Sequence, residues 1–216
     1  MKKLLLLTAL AASLGVQAQE EKKTAPAVRF GIKLGVNAAT TNDGFGSGNL
    51  FKDPNYKAGI TAGGFANISL DRHFSLQPEL LISSEGSLQD GVIGSGNNFV
   101  NVFKTNLLYL QVPVMLQYNT GGGFYVEAGP QVGFLLNSEL ENKFPGTGNP
   151  ATIDLNDVTK SMAFGLGAGL GYNLRGGFGF GARYTAGLSN VYDGPANIEL
   201  KGSNIYVGIH YRFGGR

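Results

Sequence analysis

The chain has 216 residues, enough for one domain or at most two. It contains no cysteine, which excludes disulfides, thiolate metal sites and cysteine nucleophiles. Its 34 glycines beside only 15% charged residues suit β-structure better than helix, and two well-separated histidines, His73 and His210, do not make a zinc site.

Taken in order, the chain begins with a basic start, Lys2 and Lys3, and an apolar run from Leu4 to Val16. Val16-Gln17-Ala18 then forms a small-residue cleavage pattern before Gln19. This predicts a signal peptide over residues 1–18, because the apolar run is short for a membrane span. Losing Lys2 and Lys3 from the 17 basic residues balances the 15 acidic ones, so the basic character of the whole chain is no argument for nucleic-acid binding. Residues 19–27 are polar and read as a loose tail.

From Val28 the dominant signal is alternation with period two, the mark of strands. Val28, Phe30, Ile32, Leu34 and Val36 alternate with Arg29, Gly31, Lys33, Gly35 and Asn37. Residues 58–70 repeat this with Ile60, Ala62, Gly64, Ala66, Ile68 and Leu70 on one face, and residues 74–84 with Phe74, Leu76, Pro78, Leu80 and Ile82. Residues 107–136 make a hairpin about Asn119–Gly123. Leu108 to Tyr118 and Phe124 to Leu136 place apolar side chains on even positions, and Tyr109, Gln111, Gln117, Tyr125, Glu127 and Gln131 on odd ones. Residues 162–174 alternate apolar side chains with Gly165, Gly167, Gly169 and Gly171. Strands over about 178–188 and 204–213 complete a predicted set of eight.

The links alternate strictly. Short ones fall near 71–73, 119–123 and 175–177; long polar ones near 41–57, 85–104, 137–160 and 190–202. No segment has 18 consecutive apolar residues, so a helical membrane protein is not expected. The even strand number and the asymmetric links predict an all-β, eight-stranded, antiparallel, up-and-down transmembrane β-barrel, with short turns in the periplasm and long loops outside the cell.

On this register the outward faces carry no Asp, Glu, Lys or Arg. A charge at the bilayer midplane costs about 2–4 kcal/mol, which gives their absence a physical cause. Phe30, Phe74, Tyr118, Phe124, Tyr172, Phe178, Tyr211 and Phe213 fall on that face near the short-turn ends and predict a periplasmic aromatic girdle. Pro78, Pro113 and Pro130 lie inside strands, where each removes a ladder donor, and predict either bulges or strand boundaries other than those drawn above.

The inward face carries Arg29, Lys33, Glu79, Glu127, Arg183, His210 and Arg212. Eight strands enclose a lumen just wide enough for its own side chains. Buried charges need partners, so Glu79 and Glu127 are expected to pair with Lys33, Arg183 or Arg212 in a plug. The glycines of 165–171 are expected to make room for Tyr125 and Arg183.

Catalytic and cofactor motifs are not found. The glycine run lacks the G-x-G-x-x-G spacing and a following helix, and neither a G-x-S-x-G elbow nor an H-E-x-x-H pair occurs. Asp154 and Asp157 read as solvated loop acids. No catalytic, cofactor or metal residue is assigned.

Four elements carry a family resemblance: Leu76-Gln77-Pro78-Glu79-Leu80, Tyr109-Leu110-Gln111-Val112-Pro113, Glu127-Ala128-Gly129-Pro130, and Arg183-Tyr184 followed by Gly187-Leu188. Together they resemble the PorT-like outer-membrane β-barrel family of Gram-negative Bacteroidota, often labelled "porin family". The resemblance implies an eight-stranded barrel of OmpA/OmpX-like size, makes the strand prolines expected, and does not imply transport. Such barrels commonly end on an aromatic residue read by assembly machinery; here Phe213 is followed by Gly214-Gly215-Arg216, which places that signal slightly inside.

The resulting expectation is a signal peptide over 1–18, a periplasmic tail over 19–27 and an outer-membrane barrel over 28–216. It would be non-enzymatic and without cofactor, structural, adhesive or envelope-assembling in role. Its partners would be outer-membrane lipid, the barrel-assembly machinery and envelope proteins met through the loops; no nucleic acid is expected, and the barrel would be a monomer. A narrow porin-like channel for small solutes and a soluble barrel holding an apolar ligand, with parity inverted, are the alternatives.

Overall fold

The computed structural model describes residues 27–43, 55–92, 100–143, 151–156, 159–190 and 200–214. The expected signal peptide and most of the tail lie outside them, as do the central parts of the expected long loops. The strands are β1 (Val28–Asp43), β2 (Asn55–Ser69), β3 (Phe74–Val92), β4 (Val100–Asn119), β5 (Phe124–Lys143), β6 (Ala151–Asp154), β7 (Met162–Asn173), β8 (Phe178–Gly187) and β9 (Leu200–Arg212).

Every pairing is antiparallel, and the sheet runs β4-β3-β2-β1-β9-β8-β7-β5, closing where β4 pairs with β5. Eight strands therefore form a closed barrel, and closure leaves no edge to template aggregation. The short β6 stands apart from the ring, pairing Glu139↔Asp154 and Glu141↔Thr152 on the far end of β5.

The pleat decides the two environments. Phe30, Ile32, Leu34 and Val36 are exposed on the outside of β1, whereas Lys33 and Asn37 are buried inside it. The same parity holds round the ring: Leu116, Val126, Leu166, Phe180 and Val207 face outward, while Thr61, Glu79, Gln111, Glu127 and Arg183 face in. An apolar exterior around a polar interior suits a protein whose outer solvent is hydrocarbon. This parity rules out the inverted, soluble alternative.

The three short turns share one construction. In each, the amide of the first residue donates to the carbonyl four positions on: Leu70 to Phe74 at 2.9 Å, Thr120 to Phe124 at 2.8 Å and Leu174 to Phe178 at 2.8 Å. The left-handed backbone at Gly123 (φ 96°) and at Gly176 and Gly177 (φ 89° and 95°) explains why glycine closes two of them. The first turn instead uses Asp71, whose carboxylate accepts the amides of His73 and Phe74, both at 2.7 Å.

Two expectations need correction. The stretches expected as long loops are in part strand: β1 continues to Asp43, β3 and β4 stay paired from Glu85↔Leu107 out to Val92↔Val100, and β5 continues to Lys143. Backbone pairing there outlives the apolar alternation, because beyond the bilayer an outward side chain meets water and need not be apolar.

The prolines, secondly, cause no bulge. Pairing breaks beside Pro78 and Pro113 but resumes in the same register, from Pro78↔Val114 to Leu81↔Gln111 and from Pro113↔Gln131 to Leu116↔Ala128. Pro130 pairs Leu166 in an unbroken ladder. The register shifts lie elsewhere, between Tyr56 and Thr61 and at Leu108/Tyr109. The three prolines fall on the adjacent strands β3, β4 and β5, so the missing donors are gathered into one patch of wall rather than relieved by extra residues.

Candidate functional site

The interior of the barrel is the only enclosed chemistry among the described residues, and it is arranged in tiers. Its centre is built from four charges. The Lys33 ammonium donates to Glu79 Oε1 at 2.7 Å. The Arg183 guanidinium holds Glu79 with both terminal nitrogens, Nη1 to Oε2 at 2.9 Å and Nη2 to Oε1 at 2.8 Å, and reaches Glu127 Oε1 with Nε at 2.7 Å. Bidentate pairing of this kind uses the fixed fork of arginine, and lysine could not replace it. Gln77 adds a hydrogen bond to Glu79 at 2.8 Å, and Gln117 one to Glu127 at 2.9 Å. Two acids and two bases leave the cluster formally neutral, and each carboxylate is held by at least one cation and one amide.

The strand order sets this geometry. Glu79, Lys33, Arg183 and Glu127 stand on β3, β1, β8 and β5, every second strand round the ring. Arg183 thus faces Glu79 from the opposite wall, and Lys33 stands opposite Glu127. Glycines of the intervening strand β7 make the crossing possible: a Cβ on Gly167 would lie 3.3 Å from Arg183 Cδ, and one on Gly169 would lie 3.1 Å from Glu127 Oε1. Tyr125 likewise lies over Gly171 and Gly181.

Toward the short turns, Asn67 donates to Ser75 at 3.2 Å, Gln77 at 3.1 Å and Gln117 at 3.0 Å, forming a neutral tier. Toward the long loops, Asn37 joins Thr61 and Ser83. Above them the Glu85 carboxylate accepts from Gln111, from Ser83 at 3.2 Å and from Asn204 at 2.6 Å. Met115, Phe65 and Leu81 fill the remaining interior with apolar volume.

Of the seven inward residues singled out from the sequence, the structure brings together Lys33, Glu79, Glu127 and Arg183. His210 instead pairs with Asn173 Oδ1 at 3.0 Å and packs edge-on to Phe65 and Tyr125. Arg29 and Arg212 sit apart from the cluster and line the wide cavity at the short-turn mouth, with Arg175. Parity fixes which face a residue takes but not its height: Arg29 is exposed to water at the mouth and needs no acid, while Arg212 is half-buried with its Nε unpartnered. Glu85 was not singled out, because its surroundings read as polar loop; the continued alternation of Ser83, Glu85 and Ser87 is the signal that would have found it.

The outward aromatics fall in contacting groups at the short-turn end. Phe74 lies 5.2 Å from Tyr118, Phe178 lies 4.8 Å from Tyr211, and Tyr211 lies 5.5 Å from Phe213. His73 stacks on Tyr118 at 5.8 Å. Among the described residues no group of three or more His, Cys, Asp or Glu could hold a metal ion.

Comparison with known proteins gives one family match. A model described as outer membrane protein beta-barrel domain matches residues 17–193. No curated protein matches the sequence. Among solved structures, Ail, the attachment invasion locus protein of Yersinia pestis, aligns at 13% identity and TM-score 0.46, over 88% of this chain and 100% of that one. Neisserial surface protein A aligns at 8% identity and TM-score 0.45, over 87% and 99%. OprG from Pseudomonas aeruginosa aligns at 15% identity and TM-score 0.39, over 88% and 97%.

Proposed function

The chain belongs to the outer membrane protein beta-barrel domain family, and on that basis we propose that it is a non-enzymatic barrel with a closed lumen, whose work is done by the polar hairpins it holds above the membrane. The observation that carries this reading is the bidentate pair between Arg183 and Glu79, which bridges opposite walls at 2.8 and 2.9 Å with Glu127 and Lys33 attached. An ion passing through would have to break a desolvated, charge-balanced cluster, and one broken partner in such a cluster costs about 3–5 kcal/mol. The short turns face the periplasm and the extended ends of β3, β4 and β5 face outward, with Phe30, Phe74, Tyr118, Phe124, Tyr172, Phe178, Tyr211 and Phe213 anchoring the periplasmic interface. The Gln77-Pro78-Glu79 and Tyr109 to Pro113 elements support a place in the PorT-like branch: Glu79 in the first is the centre of the lumen cluster, and Pro78 and Pro113 are neighbours in the same patch of wall.

The partners follow from the same reading: outer-membrane lipid around the belt, the barrel-assembly machinery during insertion, and envelope proteins at the hairpins, with the barrel itself monomeric. Planar-bilayer recording with the purified, refolded protein tests the closed lumen. The expected result is the absence of stable, large conductance steps. Stable large channels would instead establish the porin-like alternative.

A further inference from the structure

The upper lumen holds a cavity of about 60 Å³ toward the long-loop end, bordered by Thr40, Glu85, Tyr109, Gln111 and Asn204 on its polar side and by Leu107 on its apolar side. Room of this size accepts a few waters or one small amine. Its chemistry is one-sided. Tyr109 Oη, Thr40 Oγ1 and Asn204 Oδ1 are all buried without a hydrogen-bond partner, on side chains that are 3%, 4% and 9% exposed. Buried polar atoms are rarely left so, and three around one cavity mark a place where something else supplies the partner.

Glu85 sits at the same cavity and is unbalanced. All three of its donors, Ser83, Gln111 and Asn204, converge on Oε1, so Oε2 takes no hydrogen bond from a described residue. No ion pair reaches its carboxylate among the described residues. The nearby Lys57 ammonium donates to the Glu85 backbone carbonyl at 2.7 Å and acts on the carboxylate only from beyond ion-pair distance. This contrasts with Glu79 and Glu127 in the central cluster, which are fully matched. Asn204 commits its amide NH₂ to Glu85, which leaves its carbonyl as an acceptor. The free groups are therefore a carboxylate oxygen, an amide oxygen and two hydroxyls, an acceptor-rich set.

We propose that this cavity is a binding site for the ammonium group of a small primary amine, with Glu85 as counter-charge and Tyr109, Thr40 and Asn204 as acceptors for its protons. An ammonium offers three donors and one positive charge, which matches three neutral acceptors and one carboxylate. One carboxylate suits a single positive charge and falls short of the ligand set of a divalent cation. Leu107, buried on the inner face of β4, provides the apolar side against which the carbon of the amine packs.

The test uses the full barrel refolded in detergent micelles, with methylammonium chloride as probe. Tetramethylammonium chloride and potassium chloride at equal ionic strength are the controls. The side-chain amide resonances of Gln111 and Asn204 report binding. Methylammonium is expected to shift both saturably, and tetramethylammonium, which has no proton to donate, is not. Glu85→Gln should weaken the response about tenfold, the loss of one charge-assisted contact. Heat-modifiable gel migration shows whether that variant folds; if it does not, Tyr109→Phe keeps the ring, removes one acceptor and must weaken binding instead. Three results overturn the proposal: no saturable shift in the folded wild-type barrel, which means water alone fills the cavity; an equal shift with tetramethylammonium or potassium; or an unchanged methylammonium response in the folded variants.

Discussion

Arg183 on β8 and Glu79 on β3 stand on opposite walls of the barrel and are joined by two hydrogen bonds of 2.8 and 2.9 Å across the lumen. The pair acts as a cross-brace. Removing one side leaves the other buried and charged, the costly way to disturb an ion pair. Glu79→Gln should therefore destabilise the folded barrel by about 3–5 kcal/mol, since Lys33 and Arg183 lose the carboxylate they share. Urea titration of the protein refolded into lipid vesicles measures this. A change within about 0.5 kcal/mol, the range of an ordinary surface substitution, would mean that water screens the cluster.

Space inside the barrel is allotted by glycine. A Cβ on Gly181 would lie 2.7 Å from the Tyr125 hydroxyl, closer than real Cβ atoms come. Gly181→Ala should cost about 1–3 kcal/mol as overpacking. Tyr125→Phe removes the offending atom, so the double variant should recover part of the loss. Additive costs in a double-mutant cycle would show that the glycine serves another purpose.

The first short turn should respond to acid. Two backbone amides donate to the Asp71 carboxylate and hold its pKa below the usual aspartate range. A group whose pKa falls on folding contributes stability above its unfolded pKa and loses it as pH falls through the folded one. Wild type should thus exceed Asp71→Ala in stability at neutral pH, and the two curves should converge as pH drops below the usual aspartate range. A gap that stays constant from neutral pH to the acid limit would assign the effect of Asp71 to something other than its charge.

Orientation can be read chemically, because the chain has no native cysteine. A cysteine at exposed Asp154, on β6 at the long-loop end, should react with a membrane-impermeant maleimide on intact cells. One at Gly122, in a short turn, should react only after the outer membrane is breached. The reverse pattern would invert the barrel.

The sequence and the structure agree most closely where solvent writes directly on the chain. Outward positions such as Ile32, Leu116 and Val207 must be apolar and their neighbours need not be, so parity was legible from alternation, and strand order and closure from the even strand number with its alternating short and long links. Strand ends were not. From Glu85 outward both faces meet water or a wet vestibule, the apolar signal stops, and paired backbone reads as loop. Choice of partner was legible only in part. That Glu79 needs a cation follows from burial; that Arg183 rather than Arg212 supplies one depends on which strands stand opposite and how high each residue sits. The prolines misled for a related reason: a missing donor can be met by an interrupted ladder in constant register, as at Pro78 and Pro113, and no residue pattern distinguishes that from a bulge.

The central charges also keep time. Glu79 and Arg183 are 104 residues apart, and β1 to β5 already hold Lys33, Glu79 and Glu127 before β8 is made. At that point the unfinished cluster carries two acids and one base, one uncancelled negative charge at its centre. Only when β8 docks is the excess cancelled. Closing so long a loop is entropically slow, and its reward arrives in a single contact. A chain that stops short of β8 is left with an electrostatic fault at its centre, so the cluster that braces the finished barrel also distinguishes a completed molecule from an abandoned one.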